Sequence, residues 1–329
     1  MPGKRINPFE EKTGIVNYCY SKRCQKLITD FGIEESFQSA SIRMKEHHGV
    51  EINLSAVRKI TEFHAERAAK LEAALPKVKQ RSRQMIAEMD GEMVPLVEYE
   101  SSEDRRKTKK ILWSELRVGV AQNINTVTWE YACSFKNAEE LGIRLKTTML
   151  RLGFDDETKV HGVGDGACWI PEQGEKIAGK NYEHLIDLYH LSEYFSGAVS
   201  AWQEDTKKET KRLKEIAEAG HINDVVKELK TRRIEFPSHE GLRVCIQYIE
   251  NRPGQFNYKE AHKKGLPVGS GKIESTHRSL MQKRLKKPGA WWLRENASKM
   301  ADLRTLRANG GWEFLWQQKS QANLLQTAA

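Results

Sequence analysis

Between residues 85 and 190 the sequence alternates in a way that few folds accept. Three β-rich runs come first, "MIAEMDGEMVPLVEY", "LRVGVAQ" and "TVTWEYACSF", dense in Val, Thr, Trp, Tyr and Phe. The spacing of "NAEELGIRLKTTMLRL" then predicts a helix over about 137–152. "KVHGVGDGACWI" reads as a short buried strand ending at Gly164-Asp165-Gly166, and "HLIDLYHL" is another short apolar run with strand potential. The order is strand, strand, strand, helix, strand, helical turn, strand, which is a mixed α/β pattern. Inside the first run, Asp90-Gly91 reads as a hairpin turn.

Helical text flanks this block. Residues of roughly 15–31, 34–47 and 54–73 carry apolar positions at helical spacing, with Asn53 or Ser55 placed to cap the third segment. Two helices around a Gly49-containing gap, the later one bearing Arg58, Lys59 and Arg67, have the outline of a helix-turn-helix, although a plain helical hairpin has the same outline. From about 190 to 252 amphipathic helices return, with charge runs expected on solvated faces. The expected organisation is an N-terminal helical region over 1–80, an α/β domain formed from 81–190 and 263–308, a helical insertion over 191–262, and a frayed tail over 309–329.

Charge narrows the partner. The formal net charge is +9, from 54 basic and 45 acidic residues. Between Lys263 and Arg307 there are twelve Lys/Arg against three Asp/Glu, which is again +9, so the rest of the chain balances. An excess held in one stretch suggests a polyanionic partner, most often nucleic acid. Trp291 and Trp292 lie inside that stretch, placed either to stack on bases or to pack in a core. No apolar run reaches the ~18 residues of a membrane span. The opening "MPGKRINPFEEK" has no apolar segment of a secretion signal. Cys19, Cys24, Cys133, Cys168 and Cys245 are scattered and odd in number, as expected of thiols in a reducing interior, and Cys19 and Cys24 lack the second ligand pair of a zinc site.

The stretch "GLPVGSGKIES", residues 265–275, tests a nucleotide site first. A P-loop requires glycine where Leu266 stands and a hydroxyl where Ile273 stands, so the motif fails twice. What remains is an acid, Glu274, placed just inside a helix that starts near Lys272. Asp90, Asp165 and Glu274 share a setting: each lies beside glycine at the end of an expected element. Each also has an ordinary explanation, as a turn residue, a helix cap and a helix N-terminal acid respectively. Converging, they would suit hard divalent cations.

The segments "VGDGACWI", "DLYHLSEYF", "LPVGSGKIESTHR" and "WWLRENASKMADLRTLRANGGWEFLW", in that order, resemble the transposases of bacterial insertion sequences, specifically the ISKra-type group related to the Mutator-like DDE transposases. The resemblance runs from about Glu88 to Trp316. It implies an RNase H-like mixed sheet with a helical insertion before the catalytic Glu, and a DDE triad of Asp90, Asp165 and Glu274 that holds two Mg²⁺ ions, with Mn²⁺ able to substitute. It implies an accessory [C/D]xxH signature at Asp187 and His190. It further implies cutting and joining of DNA at transposon terminal inverted repeats and target DNA, a homo-oligomer, and a bacterial cytoplasmic, nucleoid-associated setting. Lys272, Arg278, Lys283, Arg284, Lys286, Lys287, Trp291 and Trp292 are the expected DNA contacts. The competing expectations are a non-catalytic DNA-binding protein descended from a transposase, and a nuclease of the same fold that hydrolyses without joining.

Overall fold

The computed structural model describes residues 20–99 and 108–317. Cys19, the first residues of the helix expected from residue 15, and the tail beyond residue 317 lie outside them. The chain divides into two compact units, one made of Met1–Pro76, Met93–Leu116 and Thr276–Ala329, the other of Lys77–Glu92 and Arg117–Ser275.

The second unit carries most of a five-stranded sheet in the order β3-β2-β1-β4-β5. The strands are β1 (Gln84–Tyr99), β2 (Lys109–Asn123), β3 (Trp129–Ser134), β4 (Lys159–Gly164) and β5 (Tyr182–Ile186). The unit boundary falls within β1 and β2. β2 and β3 are antiparallel, whereas β1 pairs parallel with β4, and β4 parallel with β5. Helix α4 (Ala138–Arg151) links β3 to β4, and α5 (Trp169–Ala178) links β4 to β5. This mixed sheet, with its order and its helical crossovers, is RNase H-like. The expected "helical turn" before β5 is a full ten-residue helix.

The central strands are buried on both faces over residues 85–89 of β1 and 160–164 of β4. Met85, Ala87 and Met89 pack on one face with Leu141, Leu145 and Met149 of α4 and Ile170 and Ile177 of α5. Ile86 belongs to the other face, with Leu185 and the helices that follow β5. Those helices are α6 (Leu188–Val199), α7 (Lys207–Glu218), α8 (Ile222–Glu235), α9 (Glu240–Glu250) and α10 (Tyr258–Lys263). Their shared core includes Phe195, Leu213, Leu229, Leu242 and Ile249. In α7, "KKETKRLKEIAE" buries only Leu213 and Ala217, one turn apart, and leaves the charged positions outward.

Two local expectations are corrected here. Asp90-Gly91 makes no turn: β1 runs unbroken through both residues as the central strand of the sheet, and the long-range pairing of that strand overrides local turn preference. "HLIDLYHL" is strand only as far as Ile186; Asp187 is the N-cap of α6, and the rest of the run is helix.

In the other unit, α1 (Lys22–Glu34), α2 (Phe37–His48) and α3 (Leu54–Leu71) enclose Ile28, Ala40, Met44, Val57 and Ile60. Asn53 caps α3 by accepting from the Ala56 N–H at 2.8 Å, and Ser55 donates to the same oxygen. After α11 (Gly271–Thr276) the chain continues through a π-helical turn, His277–Gln282, and a short α12 (Lys283–Leu285); α13 (Arg294–Ala308) and α14 (Trp312–Gln317) follow. The buried Arg304 donates to the carbonyls of Ser279, Leu280 and Ile33 and pairs with Glu34 at 3.3 Å. Part of the basic excess of this stretch is therefore spent on packing. Among the described residues no helix is long and apolar enough to cross a membrane.

Candidate active site

Strand register sets the acids. Glu88 pairs with Val163, and Gly164 pairs with Ile186. Continuing each register past those pairs puts Asp90 level with Asp165, and Asp165 level with Asp187, across three adjacent strands. In parallel pairing, level residues face the same side, and Glu88 shares the face of Asp90 through the two-residue period of β1. The row lies at the carboxyl ends of β4 and β5, where open α/β sheets bind ligands.

Each acid is held differently. Asp90 is half-buried, and its Oδ1 accepts from the Gly91 N–H at 2.7 Å. Asp165 is half-buried, and its Oδ1 accepts from the Ala167 N–H at 2.9 Å. The turn after it is fixed from outside: Tyr248 Oη donates to the Asp165 carbonyl at 2.6 Å, and Arg252 donates twice to the Gly166 carbonyl, at 2.9 and 2.8 Å. Gly166 has φ 87°, and a Cβ there would lie 2.6 Å from Tyr248 Oη, so only glycine fits.

Asp187 is 4% exposed and holds four donors. Oδ1 accepts from the N–H groups of Tyr189 (2.6 Å) and His190 (3.0 Å), which caps α6. Oδ2 accepts from Ser270 twice, from the N–H at 2.6 Å and the hydroxyl at 2.5 Å. It therefore ties the glycine-rich turn to the end of β5. The His190 ring turns to Tyr194, with centroids 5.5 Å apart, and its Nδ1 lies 3.6 Å from Glu193.

Glu88 is the residue that sequence reasoning missed. It is 2% exposed, and its Oε2 accepts from the Ile273 N–H at 2.7 Å, at the start of α11. Burial pushes its carboxyl up to about 7; the Ile273 N–H opposes that shift, the nearby Asp187 adds to it, and Lys272 opposes it. Its signal in the sequence was an acid at an inward-facing position of a strand buried on both sides.

These two carboxylates hold Ser270 and Ile273, and between them and beyond lie Lys272 and Glu274. Gly269 is required for this closeness: a Cβ there would sit 2.9 Å from the Tyr189 ring and 3.8 Å from Asp187 Oδ2. At Gly271, by contrast, a Cβ would meet nothing within 4 Å. The Lys272 ammonium stands over the rings of Trp129 (5.6 Å) and Tyr131 (5.3 Å) of β3. Glu274 is exposed in the first turn of α11. Among the described residues, no three His, Cys, Asp or Glu side chains stand close enough together to hold a metal ion. Register thus brings Asp90 level with Asp165, and together with Glu274 they form no ready ligand set among the described residues.

The remaining expected DNA contacts belong to the other unit. Arg278 is exposed, Lys283 pairs with Glu34 at 3.3 Å, and Lys287 pairs with Glu35 at 3.5 Å. Lys286 is half-buried. Trp291 is exposed, with the Lys109 ammonium 3.4 Å from its ring centroid. Arg284 and Trp292 are corrected. Arg284 is 2% exposed, donates to the Gly32 carbonyl and lies against both the Phe37 and Trp292 rings, which meet edge to face. Trp292 is buried too, and its carbonyl accepts from the Val97 N–H at 2.8 Å. A guanidinium buried in this way is closed to phosphate. Arg67, expected on a recognition helix, donates instead to the Leu315 carbonyl and contacts His64.

The chain belongs to UPF0236, an uncharacterised protein family, whose model matches residues 20–319. No curated protein matches it. Among solved structures, the chain is similar to a Drosophila P element transposase strand transfer complex at 9% identity, over 97% of this chain and 88% of that one, with a TM-score of 0.36.

Proposed function

We propose that this member of UPF0236 is a DDE transposase of the ISKra type, cutting and joining the terminal inverted-repeat DNA of an insertion sequence. The observation that carries the reading is the row of Asp90, Asp165 and Asp187 across three strands of an RNase H-like sheet, with the Glu274 helix pinned beside it by Glu88 and Asp187. Asp90, Asp165 and Glu274 are the proposed catalytic acids. Their carboxylate oxygens suit Mg²⁺ or Mn²⁺ in kind, and gathering them requires side-chain movement from the arrangement described above. Divalent-cation chemistry would supply neutralisation of the charge that builds on the reacting phosphate. Asp187 and Glu88 are proposed as positioning residues, since both Asp187 oxygens are taken by α6 and Ser270 and Glu88 Oε2 holds the Ile273 N–H. In this reading water cleaves the DNA to leave a 3′-OH, which then attacks target DNA, and paired ends call for a homo-oligomer.

The test is cleavage of inverted-repeat DNA with Mg²⁺. Wild type should cut, and Asp165→Asn should abolish cutting while DNA binding persists. Mg²⁺-dependent cutting by Asp165→Asn sinks the assignment. A second reading, a DNA-binding protein without catalysis, is favoured by the lack of a gathered set of three acids among the described residues. It predicts DNA binding by wild type with no cleavage in either metal.

A further inference from the structure

Outside the acid row, the sheet-bearing unit has a groove between α6 and α7. It encloses about 370 Å³. Tyr189, Ser192 and Ser196 form one wall, and Lys207, Lys211 and Lys214 the other. We propose that this groove is a track for the DNA phosphodiester backbone, receiving a strand that passes the carboxylate row. The inference rests on the reading of this chain as a DNA-acting protein and names a surface for it.

The lysines occupy positions i, i+4 and i+7 of α7, so one side of the helix carries all three. From Lys207 to Lys214 the helix rises roughly 10 Å at 1.5 Å per residue. Three ammonium groups spread over that rise can neutralise up to about three phosphates of a strand laid along the groove. Of the acids on the same helix, Glu209 is bound by Arg212, which also holds Glu228, and Glu218 lies 3.2 Å from His262, while Glu215 pairs loosely with Lys211 itself at 3.8 Å. Among the described residues neither the Lys207 nor the Lys214 ammonium is paired with a carboxylate; Lys214 stands 4.1 Å from the Tyr189 ring centroid. Thr206 and Thr210 complete the lining; Thr206 Oγ1 bonds Ser196 Oγ at 2.9 Å and Ser192 donates to the Leu188 carbonyl at 2.8 Å, while the buried Thr210 Oγ1 has no hydrogen-bond partner among the described residues.

Tyr189 connects the groove to the acid row. Its N–H donates to Asp187, and its ring lies against Gly269 in the turn that leads to Glu274. The ring is 64% exposed, so a base unstacked near the row has an aromatic face to rest on. A strand following the lysines therefore arrives at the turn that holds the proposed catalytic glutamate.

The test is fluorescence anisotropy of full-length protein with a fluorescein-labelled random-sequence duplex and its single strand, over roughly 50 to 200 mM salt. The Lys207→Ala/Lys211→Ala/Lys214→Ala variant should bind at least about tenfold more weakly, with a salt slope shallower by about 2 to 3. Tyr189→Ala should weaken the single strand more than the duplex. Lys227→Ala, on an exposed ion pair of α8, should match wild type. Circular dichroism melts confirm that the variants fold. If wild type binds DNA and the triple variant keeps its affinity and slope, the groove is not the track, while the transposase reading stands. If wild type binds no DNA, both fail. If a poly-glutamate peptide competes as well as DNA does, the groove serves an acidic protein partner and the inference is overturned.

Discussion

Replacing Asp187 by Asn separates its two tasks. The two carboxylate oxygens face donors only: two backbone N–H groups of α6 on one side, and the N–H and hydroxyl of Ser270 on the other. An amide has one acceptor and one donor end. If its oxygen keeps the α6 cap, its NH₂ meets the Ser270 N–H donor to donor. If it flips, the cap is lost instead. Hydrogen bonds to a charged group contribute about 1.5–3 kcal/mol each. The Ser270 N–H loses its acceptor, while the Ser270 hydroxyl can turn to accept from the amide. The remaining bonds are no longer to a charge, and the relief of no longer burying one offsets part of the loss. The net destabilisation should be about 2–4 kcal/mol. The loop should suffer more than the cap, because Asn caps helices as well as Asp does. Urea unfolding gives the first quantity, and hydrogen exchange at the Ser270 amide gives the second. Unchanged stability together with unchanged Ser270 protection would refute the claim that Asp187 clamps the turn. A double-mutant cycle with Ser270→Ala should show coupling, since the two residues share a bond.

Other outcomes follow from the same geometry. The folded-state carboxyl of Glu88 is raised from 4.5 to about 7 by burial, so the folded protein holds a proton there that the unfolded chain has released. Its contribution to stability is therefore present below about 4.5, falls as pH rises towards about 7, and is level above; Glu88→Gln, which retains an acceptor for Ile273, should remove that slope from urea-unfolding profiles. Gly269→Ala drives a methyl group into the Tyr189 ring and should cost about 1–3 kcal/mol, as overpacking does, and reduce DNA cleavage with it. Gly271→Ala points into open space at a helix start and should be neutral or stabilising by up to ~1 kcal/mol, measured in the same assays.

Much of this arrangement was legible in the sequence. The alternation of β-rich runs with helical text gave the strand order, because strands buried on both faces must be apolar and helices between them must keep one polar side. Asn53 and Asn137 were readable as caps or helix starts, and both accept from the third residue beyond. The failures have a common origin in long-range pairing. Asp90-Gly91 has turn chemistry, yet it lies inside the sixteen-residue central strand β1, whose pairing keeps it extended. The clamp that Asp187 makes was not legible, because its partner Ser270 is a long way along the chain, beyond the whole helical insertion. Arg284 stands in a run of lysines and looks solvent-bound; only the approach of Phe37, Trp292 and the Gly32 carbonyl buries it. Glu88 was visible as an inward-facing acid, but nothing local names Ile273 as its partner.

The central claim is that Asp90, Asp165 and Glu274 act as one divalent-cation site beside the pinned turn. Electron paramagnetic resonance of Mn²⁺ titrated into the protein with inverted-repeat DNA tests it most directly. The account predicts a bound-Mn²⁺ signal in wild type that Asp90→Asn, Asp165→Asn and Glu274→Gln each weaken strongly while DNA remains bound. A bound-Mn²⁺ signal that all three variants retain at wild-type strength would contradict it.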